Sequence, residues 1–173
     1  MSAVFSPDRI YRYELEREVN ALGEGMIAFG MLNGSTANEN DNDPTVARTI
    51  GFARQWGFRW LRVVNLFALA ATDPKLLYSH PDPIGWENDH FIAKAMLEAK
   101  EFIVAWGTHG AFKERGPQVL RMLLKMAPKR VFHLGVTKAG HPRHPLYLPK
   151  STERQAYLWN GTGWSPSSQA AER

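Results

Sequence analysis

The sequence predicts an α/β domain with three layers, α/β/α, around a mainly parallel four-stranded central sheet. Three observations lead there. Met26–Leu32, Trp60–Leu66, Phe102–Trp106 and Arg130–Leu134 are short runs rich in the apolar, β-branched and aromatic residues of strands. Each is separated from the next by a segment of helical periodicity, the pattern of βαβ units. The first run, Met26–Leu32, is apolar on successive residues rather than alternating ones, as in a strand covered on both faces.

Taken in order, Ile10–Leu15 alternates weakly and is placed as an edge strand, before a turn at Leu22-Gly23-Glu24-Gly25. Met26–Leu32 runs into Asn33-Gly34-Ser35-Thr36, turn residues that leave backbone N–H groups and one Asn side chain at the strand's end. Asp43-Pro44 starts a helix, with Asp as N-cap and Pro in the first turn. Val46, Ile50 and Ala53 share one face of it, and Gly57 closes it. After Trp60–Leu66, the segment Phe67–Pro83 is broken by Asp73-Pro74, Pro81 and Pro83 and is read as a long connection, a length often tied to function. Asn88 or Asp89 caps a helix to about Ala99, with Ile92, Ala95, Met96 and Ala99 inward. Gly107 stops Phe102–Trp106. Gly116-Pro117 opens a helix with Leu120, Leu123 and Leu124 inward, and Pro128 closes it. Arg130–Leu134 then feeds the loop Gly135–Pro149. Asn160-Gly161 suits a small hairpin, and residues 165–173 read as a frayed tail. The 173 residues show no repeat or dividing linker, so one domain, 1–173, is expected.

Composition narrows the function classes. Cysteine is absent, which excludes disulfides, a zinc ribbon and a Cys-ligated iron–sulfur cluster. No apolar run approaches the roughly 20 residues of a membrane helix. The charged N-terminal segment does not suit a signal peptide, and a cytoplasmic location is expected. The net charge of +4 is unevenly spread: between Gly107 and Arg154 the only acids are Glu114 and Glu153 against ten Lys and Arg. That half suits a polyanionic partner or is a solvated basic face.

In an open α/β sheet, ligands bind at the carboxyl ends of the strands. Those ends carry Asn33, Ser35 and Thr36; Asn65; Gly107, Thr108 and His109; and Thr137, Lys138, His141, Arg143 and His144. Turn chemistry explains any one such residue but does not require amides and imidazoles at every tip. No nucleophile elbow, P-loop or dinucleotide fingerprint is present. His109, His141 and His144 make a poor metal set because Pro142 and Pro145 interrupt it, so neither metal nor cofactor is expected. There remain Asn33 and Asn65 for hydrogen-bond recognition, a carboxylate or amide to orient water, and a His to stabilise a developing anion. Hydrolysis with an anionic leaving group needs that set.

Two resemblances sharpen the reading. MLNGSTAN, DNDPT, IGFARQWGF, VVNLFALAATDP, DPIGWENDHFI, AWGTHG and LGVTKAGHPRHPLYL resemble a bacterial family catalogued only as a domain of unknown function, which usually has Pro where this chain has Gly34. More distantly, GMLNGS, VVNLFAL, IVAWGTHG and GHPRHPLYL are similar, in order and spacing, to motifs of the uracil-DNA glycosylase superfamily. That resemblance implies a uracil-DNA glycosylase-like fold and a monomeric DNA glycosylase acting on uracil or a modified base flipped from DNA. Asn33 would position the attacking water, with Asp41 or Asp43 assisting, and Asp43 is also the expected N-cap. Asn65 would read the base, with Ser35 beside it. Phe67 would stack on the base or belong to the core. His141 or His144 would stabilise the departing base. Arg143, Lys138, Thr137 and His109 would face DNA. The alternative is a non-catalytic nucleic-acid or nucleotide binder.

Overall fold

The computed structural model describes residues 2–34, 41–71, 75–159 and 164–166. Its strands are β1 (Ser2–Phe5), β2 (Arg12–Glu18), β3 (Met26–Gly34), β4 (Trp60–Ala70), β5 (Glu101–Val104), β6 (Val131–His133), β7 (Gln155–Trp159) and β8 (Trp164–Pro166). The helices are α1 (Pro44–Gln55), α2 (Lys75–Ser79), α3 (Asn88–Glu98) and α4 (Arg115–Met126). None of them is long and apolar enough to cross a membrane.

All eight strands form one sheet in the order β1-β2-β4-β3-β5-β6-β7-β8. β4, β3, β5 and β6 pair in parallel, while β1–β2, β2–β4, β6–β7 and β7–β8 pair antiparallel. The sheet is therefore mixed, with antiparallel pairings in the majority. This overturns the expected four-stranded, mainly parallel sheet and the uracil-DNA glycosylase-like fold class built on it. The reason lies in β2, whose sequence RYELERE carries four charges in a row of seven residues and does not look like a buried strand. It is nevertheless an interior strand, flanked by β1 and β4. Its charge is balanced from β4: Arg62 pairs with Glu14 at 3.4 Å and Glu16 at 2.6 Å, and also with Glu98 of α3.

Alternation along the strands builds two cores. Ile27, Phe29, Met31, Leu61, Val63 and Ile103 pack with Val46, Phe52 and Ala53 of α1. Ala28, Val64, Leu66, Phe102 and Val104 pack on the other face with Ile92, Ala95 and Met96 of α3 and Val119 and Leu123 of α4.

Three local expectations change. β4 runs to Ala70 and α2 begins at Lys75, so Phe67–Pro83 is not one long connection. Asn88 is not a cap. It is buried inside α3 and donates from Nδ2 to the carbonyls of Asn65 and Leu66, each at 2.9 Å. Asp43 does cap α1, its Oδ1 accepting from Val46 N–H at 2.7 Å.

Candidate functional site

A cavity of about 170 Å³ opens where β3 ends and α1 begins, lined by Arg12, Met31, Leu32, Asn33, Asp43, Thr45 and His144. A space of about 150 Å³ takes up a six-membered ring. Met31 and Leu32 form an apolar wall, and the remaining side chains arrive from four segments of the chain.

Arg12 reaches the cavity through an irregularity in β2. The β1–β2 register passes from Val4↔Glu14 to Phe5↔Arg12 and leaves Tyr13 as an extra residue. One extra residue reverses the alternation, so the Arg12 side chain turns towards the α1 side. Tyr13 instead stacks on Phe91 of α3, with ring centroids 5.0 Å apart. Arg12 is 1 % exposed. Burial pushes its guanidinium down to about 10, against the opposing pull of Asp43.

Asn33 spends both amide hydrogens locally, donating to the carbonyls of Ala71 at 2.8 Å and Gly34 at 3.2 Å. What it offers the cavity is therefore the Oδ1 acceptor. His144 accepts at Nδ1 from Leu146 N–H at 3.3 Å. A neutral imidazole that accepts at Nδ1 carries its proton on Nε2. Burial lowers the His144 pKa, with the Asp43 carboxylate opposing, which favours this neutral donor form. The loop bearing Asp43 is tied to β2 by Arg17, which donates to Asn42 Oδ1 at 2.8 Å and to the Asp41 carbonyl at 3.4 Å. The site thus combines an acceptor, a carboxylate, a neutral imidazole donor and a buried cation.

Of the residues expected from sequence, the structure brings Asn33, Asp43 and His144 together. Asn65 is one strand away, in register with Met31, 1 % exposed and not a wall of the cavity. Phe67 is fully buried in the opposite core, packed on Phe112. Thr137 and His141 close a turn on each other: Thr137 N–H donates to the His141 carbonyl, and His141 N–H to Thr137 Oγ1. Lys138 is exposed within that turn. Arg143 lines a separate cavity with Gly135, Thr152 and Glu153. His109 Nδ1 lies 2.7 Å from Tyr78 Oη, away from the site. Ser35 and Thr36 fall outside the described residues. Among the described residues, no three His, Asp or Glu side chains cluster as a metal ion would require.

A family described as a protein of unknown function, DUF1643, matches residues 12–146. The chain belongs to the DUF1643 family. The match runs from the first residue of the cavity, Arg12, to just past the last, His144, so the whole DUF1643 cavity lies inside it. β1, β7 and β8 lie outside. No curated protein and no solved structure matches the chain.

Sequence reasoning missed Arg12 and Thr45. Thr45 carries no signal beyond its place in the first turn of α1. Arg12 carries one: an arginine set among β-strand residues, opposite an acidic loop.

Proposed function

We propose that the protein hydrolyses the N-glycosidic bond of uracil or a modified base extruded from DNA into the cavity beside Asn33, Asp43 and His144. One observation carries this reading. An acceptor, a carboxylate and a neutral imidazole donor, from three separate segments, line one space large enough for a single heterocycle. A base stacked in a duplex hides its glycosidic bond, so extrusion precedes chemistry.

In the proposed step, Asn33 Oδ1 and the Asp43 carboxylate orient a water molecule. The water oxygen bonds to the sugar anomeric carbon, and its proton passes to Asp43. The carbon–nitrogen bond breaks, and its electron pair leaves with the base. The Nε2–H of neutral His144 donates to the anion that develops on the base, and the Arg12 charge favours that anion. Fixed donors aimed at developing charge in a desolvated site are commonly the largest catalytic term.

The test is a panel of oligonucleotides carrying uracil and modified bases, with alkaline cleavage of abasic products. Base release is expected from the wild type and is reduced by about 10²–10³ in His144→Ala, the cost of one anion-stabilising donor. Release from none of the panel, or undiminished release by both His144→Ala and Asn33→Ala, overturns the reading. Binding without release selects the non-catalytic nucleic-acid binder instead.

A further inference from the structure

A second cavity, about 250 Å³, lies further along α1 and is lined by Ala47, Arg48, Gly51, Phe52, Gln55 and Lys150. It shares no residue with the first. Its walls carry two cations and no carboxylate. The Arg48 guanidinium sits over the Phe52 ring, 5.2 Å from its centroid, and its enclosed Nε meets no hydrogen-bond partner among the described residues. A guanidinium fixed on an aromatic face with an unused N–H is prepared for a bidentate oxyanion. A Cβ built on Gly51 would meet nothing within 4 Å, so the helix wall there is open.

The two cavities are joined by a seam. At 3.6 residues per turn, Thr45, Arg48, Phe52 and Gln55 fall along one side of α1, and at 1.5 Å per residue the seam runs roughly 5–15 Å from Thr45. The opposite wall is the segment after His144. Its 3-10 turn, Pro145–Tyr147, packs on α1, and it delivers Lys150 to the second cavity. Tyr147, midway between His144 and Lys150, is 87 % exposed. A basic groove with an exposed aromatic is how proteins hold single-stranded nucleic acid.

We infer that this seam is a strand-binding track. The second cavity takes a backbone phosphate one or two nucleotides from the base in the first, gripped by Arg48 and Lys150, and Tyr147 stacks on an intervening base. The inference rests on the reading of the first cavity given above and deepens it: the substrate is a base within a single-stranded or frayed polynucleotide rather than a free nucleoside.

The test measures anisotropy of a short fluorescein-labelled single-stranded DNA across a salt series. The double variant Arg48→Gln, Lys150→Ala is expected to flatten the slope of log K against log salt by about 1.4, roughly 0.7 for each lost phosphate contact. Tyr147→Ala is expected to weaken binding roughly 5- to 150-fold, the range for one base–aromatic stack. Lys150 is exposed, so Lys150→Glu reads the same site should the Arg48 variant fail to fold. Absence of wild-type binding, or variants with wild-type affinity and slope, overturns the track. These outcomes do not depend on chemistry. A protein that releases no base but shows the expected slope change retains the track and loses the hydrolase reading. A protein that releases base with unchanged binding in the variants does the reverse.

Discussion

Asn65 offers the clearest test of whether the β4 tip is built for folding or for recognition. It is 1 % exposed, and neither Oδ1 nor Nδ2 meets a hydrogen-bond partner among the described residues. A buried polar group left unsatisfied costs about 1–3 kcal/mol. Leucine has a similar volume and removes both polar atoms. It also suits the neighbourhood, since Asn65 alternates along β4 with Leu61 and Val63 of the α1-side core and pairs with Met31. Asn65→Leu is therefore expected to stabilise the protein by about 1–3 kcal/mol. For a domain of this size that raises Tm by roughly 2–12 °C. Urea denaturation should show a higher midpoint at unchanged m-value. Asn88→Leu is the control. It removes two donated bonds and strands the Asn65 and Leu66 carbonyls, so it should cost about 1–3 kcal/mol. A loss of about 1 kcal/mol or more in Asn65→Leu refutes the reasoning, because it means that the amide is satisfied in the folded state. A gain in stability coupled to loss of base recognition would mark Asn65 as a residue kept at a cost to the fold.

Two further outcomes follow from the charge arrangement. Arg62→Met strands Glu14, whose side chain is 6 % exposed, and is expected to destabilise by about 3 kcal/mol, the low end for a broken buried pair because Glu98 is half exposed. Urea denaturation checks this, and adding Glu14→Gln should recover part of the loss. Burial lowers the pKa values of both His133 and His144, so below about pH 6.5 the unfolded chain binds more protons than the native state. Stability is therefore full above that pH and falls as pH drops through the folded values. Calorimetry from about pH 7.5 to about pH 5.5 should show a falling Tm, flattened in His133→Phe, which keeps a ring against Tyr157.

The sequence exposes those parts of the fold whose physics is local. β3 and β4 are apolar enough to be read as buried strands, and the Asp43 cap of α1 follows from one residue and the proline after it. β2 was placed as an edge strand because Arg12, Glu14, Glu16 and Arg17 look solvated. Their burial depends on Arg62 and Glu98, distant in sequence, and on loop 41–43. Sheet order suffers the same limit. Strands β1, β7 and β8 are short and polar or flanked by loops, and only pairing partners elsewhere in the chain give them a place.

The site divides along the same line. Asn33, Asp43 and His144 announce themselves by residue type at the ends of predicted elements, and they share a cavity because β3 and α1 meet there and the segment after His144 packs on α1. Arg12 does not announce itself, because strict alternation would point it away from α1. The extra residue at Tyr13 is what redirects it, and Tyr13's stacking on Phe91 holds that register. Periodicity in a single chain cannot show a bulge, since a bulge is a mismatch between two strands. A buried cation that only a bulge can deliver is costly to retain, so its presence beside Asp43 and a neutral His144 argues for a site that handles negative charge.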